Sequence, residues 1–261
     1  MKSVNTFWCR LLVLVGFWVI AVSAAADDEA TSVPVARELV EATLQQWRGD
    51  TSQSTLRMIV TRPDWQREMA VRVWTAGHDK SLVRVLAPER DAGAGSLLMD
   101  GAMWSFSPKV SRVVRVPGSM MSQQWMGSDF SNNEISRSDS ILQDYSHKLV
   151  GESMEGDHRI FRLELTPHEH SPVVWGHVEL DIRDDFILMR QAFFDQQGEL
   201  VKEMKTNEVV FMGGRMVAAR QRMESSDQPG EWTEIIIEEA EFDMEISPRL
   251  FSVASLRNPR L

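Results

Sequence analysis

The chain has 261 residues, 43% of them hydrophobic, and carries a formal charge of −10 from 28 basic and 38 acidic residues. An acidic surface of this kind repels nucleic acid and anionic membrane faces, and no basic stripe interrupts it. The lone cysteine is Cys9, so the chain has no disulfide, and no thiol chemistry remains once its leader is removed.

Residues 1–26 read as a cleavable signal peptide. Lys2 and Arg10 supply the positive start, residues 11–22 the apolar core, and Ser23, Ala24, Ala25 and Ala26 the small-residue site ahead of Asp27. As a membrane anchor the apolar run falls short of the roughly 20 residues a spanning helix needs. Cys9 precedes that core rather than following it, which excludes a lipoprotein signal. The expected compartment is the periplasm, and residues 27–261, which show no linker-like break, are expected to form one domain.

From Pro34 the sequence predicts an amphipathic helix capped by Ser32 and ended by Gly49, with Val35, Leu39, Ala42, Leu44 and Trp47 on one side. Alternating strands follow at residues 54–62, 68–74, 81–86, 96–99, 103–107 and 111–116, with Asp100-Gly101 as a hairpin signal. A second short helix is expected at residues 138–145, capped by Ser138, with Ile141, Leu142 and Tyr145 facing inwards. Strands then return at residues 147–154, 158–166, 173–183, 186–195, 200–211, 215–225 and 231–244, and a helical turn with an irregular tail ends the chain. Roughly a dozen strands at hairpin spacing, with no helix between successive pairs, predict an antiparallel sheet.

Several strands set an apolar face against a charged one. Val174, Val178, Leu180 and Ile182 oppose Glu179, Asp181 and Arg183. Ile236, Ala240, Phe242 and Met244 oppose Glu239, Glu241 and Asp243. Two or three short helices cannot fill a core over so many strands, so the pattern predicts a curved sheet around an apolar hollow. The candidate lining is Met58, Met69, Val71, Met99, Trp104, Met189, Met204 and Met216, methionine being suited to repacking around apolar ligands. Between the two runs of strands, Met120, Met121, Trp125 and Met126 recur at near-helical spacing and stop at Gly127, which predicts a short apolar lid helix. Phe130 anchors the turn that follows. Asp129 is expected to cap the next helical turn, with recognition of a partner as the other reading. Arg112 and Arg115 differ in strand parity, so only one of them can serve a ligand head group while the other meets the acidic surface.

Catalytic and metal signatures are thin. His168 and His170, with His177 further on, suggest metal ligation, but they lie between Pro167 and Pro172 in a predicted loop and read as solvated. There is no Gly-x-Ser-x-Gly elbow, phosphate-cradling loop or dinucleotide fingerprint. The chain is read as a non-enzyme with no cofactor and no metal.

Certain residues together resemble the LolA-like outer-membrane lipoprotein-sorting proteins. They are Ala87 to Gly93 leading into Leu97-Leu98, then Asp100-Gly101-x-x-Trp104-x-Phe106-x-Pro108, then Arg112-Val113-x-Arg115. Most specific is Met126-Gly127-Ser128-Asp129-Phe130-Ser131. The resemblance implies an incomplete half β-barrel of about eleven strands with helices plugging its mouth over an apolar cavity. It also implies a monomeric carrier for lipoprotein acyl chains, working beside an inner-membrane transporter of the ABC or RND type. The Gly127–Phe130 block departs from LolA itself, which leaves a free lipid or another apolar molecule open as cargo. The same fold serves a lipid-sensing regulator of the RseB type, so both roles stand as expectations.

Overall fold

A computed structural model describes residues 36–136 and 140–258. The leader, the Ser32 cap with Pro34 and Val35, and the Ser138 cap lie outside the described residues. Helix α1, Ala36–Arg48, opens the fold. Leu39, Val40, Thr43 and Leu44 are its buried stripe, whereas Trp47, expected with them, is 44% exposed and Arg48 takes the buried position.

Six strands follow: β1 Thr51–Arg62, β2 Trp65–Ala76, β3 Lys80–Ala87, β4 Gly95–Met99, β5 Ala102–Ser107 and β6 Arg112–Arg115. After a crossover come seven more: β7 Tyr145–Glu155, β8 His158–Pro167, β9 His177–Arg183, β10 Leu188–Phe194, β11 Leu200–Met212, β12 Arg215–Ser225 and β13 Trp232–Phe242. Each run is an antiparallel meander, and the two join side by side where β1 pairs with β13. The result is one 13-stranded sheet with β6 and β7 as its two edges. The edges do not pair, so the sheet is a curved half-barrel, with more strands than the resemblance implied. The predicted hairpin at Asp100-Gly101 is present, with φ of 52° and 69°, the two positive angles a tight two-residue turn demands.

This connectivity makes residues 116–144 the one link between opposite edges, and it crosses the concave face. Trp125, Phe130 and Leu142 from the crossover bury with Leu39 and Leu44 of α1, Met58 and Met69 of the first meander, and Leu163 and Leu180 of the second. Two short helices lie at the end of the crossover, α2 Asn132–Ser136 and α3 Ser140–Gln143. The last helix, α4 Val253–Arg257, covers a smaller cluster of Leu82, Leu97, Phe106, Phe251 and Leu256 on the opposite face. The sequence had shown only a turn and a tail there.

Several strand pairs depart from strict alternation, and three features bear on where the notable side chains point. The pairing of β1 with β13 skips Glu238, so Ile235 and Ile237, not Ile236, share a face with Ala240 and Phe242. The pairing of β9 with β10 skips Met189, which puts Leu188 on the concave side. Strand β9 begins at His177 rather than at Val173, leaving Val174 58% exposed. A β-bulge adds one residue to one strand, and one residue reverses every face beyond it.

Candidate functional site

The concave face encloses a cavity of about 260 Å³. Its floor is the sheet, with Met58 and Val71 from the first meander and Val178, Leu180, Phe193 and Met223 from the second. Its roof is Trp125, Phe130 and Ile135 from the crossover, and α1 closes one side with Leu44 and Trp47. Trp47 and Phe186 both line the cavity and remain 44% and 38% exposed, so each side chain also touches solvent.

The roof is not the predicted helix. Residues Gly118–Met120 form one 3-10 turn, after which the chain folds into a tight loop. Trp125 N–H donates to the Phe130 carbonyl at 2.7 Å, and Gln124 bridges Ser131. Met126 and Gly127 take φ of 52° and 73°, which no continuing helix permits. Met120 is 42% exposed, while Met121 and Met126 pack half-buried against the core. Trp125 is buried, its indole N–H donating to Ser96 Oγ at 3.0 Å.

Two buried polar ties fasten this loop to the sheet. The Asp129 carboxylate accepts from both terminal nitrogens of Arg62 at 3.0 and 3.1 Å and from the Thr233 hydroxyl at 2.6 Å. Asp129 N–H donates to the same Thr233 oxygen at 2.9 Å. Arg62 continues to Glu231 at 3.0 Å. The second tie is Lys202, whose ammonium donates to the Asp129 carbonyl at 3.0 Å and to Glu134 at 2.8 Å, beside the rings of Trp175 and Phe193. Asp129 is therefore not the helix cap. That role belongs to Ser131, whose Oγ accepts from Glu134 N–H at 3.2 Å while the Glu134 carboxylate accepts from Ser131 N–H at 2.9 Å. The Ser-x-x-Glu spacing is the sequence signal for this cap.

Of the lining expected from sequence, Met58, Val71, Trp125 and Phe130 are in the cavity wall, as are Met204 and Met216. Met69 is fully buried in the same core. Met99 and Trp104 are corrections. They pair in register with Ala102 and Leu97 on the face opposite Leu98 and Met103, and pack with the smaller cluster under α4. Met189, the bulged residue, is also outside the wall. The wall residues missed include the aromatics Trp47, Trp175 and Phe193 and aliphatic residues such as Val73, Leu188 and Ile235, which the weight given to methionine passed over. Register places Arg112 on the face of Ser107 and Arg115 on that of Trp104, so the two arginines do point opposite ways, both exposed.

A smaller polar pocket of about 230 Å³ lies on the other side of Trp125, between Arg90, Asp91, Ser105, Ser107 and Lys109. A hydrogen bond from Lys109 holds the Asp91 carboxyl below the usual carboxylate range. Burial lifts the Tyr145 phenol far above its ordinary value, so it stays protonated in the cavity wall. Among the described residues no group of three or more His, Cys, Asp or Glu is placed to hold a metal ion.

An open antiparallel half-barrel whose concave face is filled by a helix and a crossover above an apolar hollow is a fold shared with solved structures of the LolA superfamily. A DUF1329-like family model, described as "Uncharacterized protein", matches residues 77–258, and the chain belongs to that family. Similar solved structures include a DUF1329 family protein from Desulfovibrio piger ATCC 29098, at 23% identity and TM-score 0.77, covering 85% of this chain and 97% of that one. A LolA superfamily protein from Nitrosomonas europaea matches at 22% identity and TM-score 0.72, covering 85% and 100%. An outer membrane lipoprotein-sorting protein domain from Vibrio parahaemolyticus matches at 18% identity and TM-score 0.73, covering 85% and 98%. A search of curated proteins finds no match.

Proposed function

We propose that this chain is a periplasmic carrier, working after loss of residues 1–26. Its hollow holds an acyl chain of a lipoprotein or lipid and passes it towards the outer membrane, beside an inner-membrane transporter of the ABC or RND type. The observation that carries this reading is the hollow itself, walled by Leu, Met, Val and Phe and roofed by a loop tied down through buried ion pairs.

Burial of each methylene contributes about 0.8 kcal/mol, so ten give about 8 kcal/mol before the cost of immobilising the chain. That corresponds to binding at about the micromolar level or weaker. Such a complex forms readily and yields its cargo to any acceptor that buries one or two methylenes more. A carrier needs this balance, and no catalytic step enters it.

Native mass spectrometry of protein purified from the periplasm, followed by organic extraction, tests the reading. A co-purifying apolar molecule is expected, together with uptake of a fluorescent acyl probe. Leu56 lines the hollow, and a Leu56→Glu carboxylate must be dehydrated when a chain enters, so probe uptake is expected to fall at least about tenfold. Protein that carries no lipid and takes up no probe overturns the carrier.

A further inference from the structure

The polar pocket beside Trp125 has a floor of hydroxyls. Ser96 of β4 pairs with Ser105 of β5, and Ser107 stands two residues further along the same face. That face is the concave one, since Ser96 Oγ accepts from the Trp125 indole N–H at 3.0 Å. All three serines line the pocket. Ser96 accepts in that bond and keeps its own proton to donate, and the half-buried Ser105 and Ser107 hydroxyls bond nothing among the described residues.

Cations stand around this floor. Arg90 and Lys109 line the pocket, with Arg90 Nε at 3.4 Å and Lys109 Nζ at 3.1 Å from the Asp91 carboxylate. Arg67 reaches the carbonyl of Met126, another lining residue, and its charge also acts on Asp91. Arg112 lies opposite Ser107 in the β5–β6 register and so shares its face. Neither Arg67 nor Arg112 has an ion pair among the described residues. Glu89, next to Arg90, is exposed and outside the lining. Four cations therefore surround one carboxylate, in a chain whose formal charge is −10. A cleft lined by one sign of charge concentrates counter-ions of the other.

The donors arrive from the floor, from two walls and from the sheet edge. A planar carboxylate uses only part of such a set, whereas a phosphate presents three or more oxygens in three dimensions. Phe106, Pro108 and Trp125 add apolar lining, which leaves room within about 230 Å³ for a carbon group attached to the phosphate. We propose that this pocket binds the phosphate of a phosphate ester, held by Arg90, Lys109 and the hydroxyls of Ser96, Ser105 and Ser107. The ester is a phospholipid head group or a free phosphate ester, and the site does not depend on the carrier reading.

The test is calorimetric titration of the protein at pH 7.5 and low salt with inorganic phosphate, sn-glycerol 3-phosphate and dihexanoylphosphatidylglycerol below its micellar concentration. Glycerol 3-phosphate is expected to bind with a Kd of about 1 mM or tighter. Arg90 and Lys109 side chains are 66% and 65% exposed, so Arg90→Gln combined with Lys109→Gln leaves the fold intact. That double variant should weaken binding at least about tenfold, and Ser105→Ala, which changes no charge, about threefold. Lys148→Gln, on the opposite edge strand, should leave binding unchanged. A lipid that binds at least about tenfold more tightly than glycerol 3-phosphate, with both weakened by the double variant, supports the site and names a head group as its source. A lipid that gains nothing over glycerol 3-phosphate supports the site with a free ester as its source. Absence of binding by all three ligands up to about 10 mM overturns the proposal. Equal weakening by Lys148→Gln and by the double variant also overturns it, since net charge rather than the pocket would then attract the anion.

Discussion

Asp129 shows how much one side chain carries here. Its side chain is fully buried against an Arg62 side chain that is only 10% exposed. Removing one partner of such a pair strands the other, a loss of about 3–5 kcal/mol. Asp129→Ala is therefore expected to lower the unfolding free energy by that amount in urea titrations, and Arg62→Met combined with it should recover part of the loss. An unchanged midpoint would mean that the tie bears no load. Sequence pointed to the block around Asp129, but its spacing suggested a helix cap. The partners are 67 residues back and 104 ahead, and no local pattern announces them. Trp125 carries the same lesson. Its near-helical spacing with three methionines gave the right inward residue for the wrong reason, since a loop and a bond to Ser96 set its direction.

At the scale of elements, the crossover is a consequence of topology. A meander ending at one edge of a sheet and restarting at the other must send its link across a face, and the concave face offers the larger buried core. The loop then turns where Met126 and Gly127 adopt positive φ. The nearest atom to a Cβ added at Gly127 is Arg67 Nη2, 4.0 Å away, so the space exists and only the backbone objects. Gly127→Ala is expected to cost about 1–2 kcal/mol, read as a lower melting temperature with an unchanged far-UV spectrum. No loss would show that another residue relieves the turn. The bulges at Met189 and Glu238 matter more for the site than any helix does. By skipping Met189 and Glu238 they place Leu188, Ile235 and Ile237 in the wall, positions that alternation assigned to the other face.

At the scale of the whole molecule, the resolved titrations of the carboxyl groups and of histidine agree in sign. Burial pushes the His147 imidazole below its ordinary 6.5, while its Nε2 lies 2.7 Å from the Ile141 carbonyl. The carboxyls of Asp91, Asp184, Asp185 and Glu203 are also lowered. Lys109 bonds Asp91, the Arg159 amide and His158 bond Asp184, Arg183 outweighs burial at Asp185, and Lys205 with Arg190 does so at Glu203. In each case the native state binds fewer protons than the unfolded chain, so stability rises with pH through the window between the two values. The histidine contribution is complete above 6.5 and declines as pH falls towards its lowered value. The carboxylate contributions are complete above 3.8 for aspartate and 4.5 for glutamate and are lost below. Urea midpoints are expected to be level from about pH 7 to 8, to fall slightly towards pH 5 and to drop steeply below about pH 4. His147→Gln should flatten the first decline and leave the second. A midpoint that rises on acidification would contradict both assignments.

What the sequence determined by itself was the antiparallel sheet, its hairpins and the position of the interruption, because alternation and turn chemistry act between near neighbours. The Gly127–Phe130 block also marked the fold family. Only the tertiary structure decided which face each distal strand presents, which residues roof the hollow and where the polar pocket lies. Bulges, buried ion pairs and the seating of Trp125 on Ser96 depend on partners far apart in the chain, joined only when the sheet curves and the crossover closes over it.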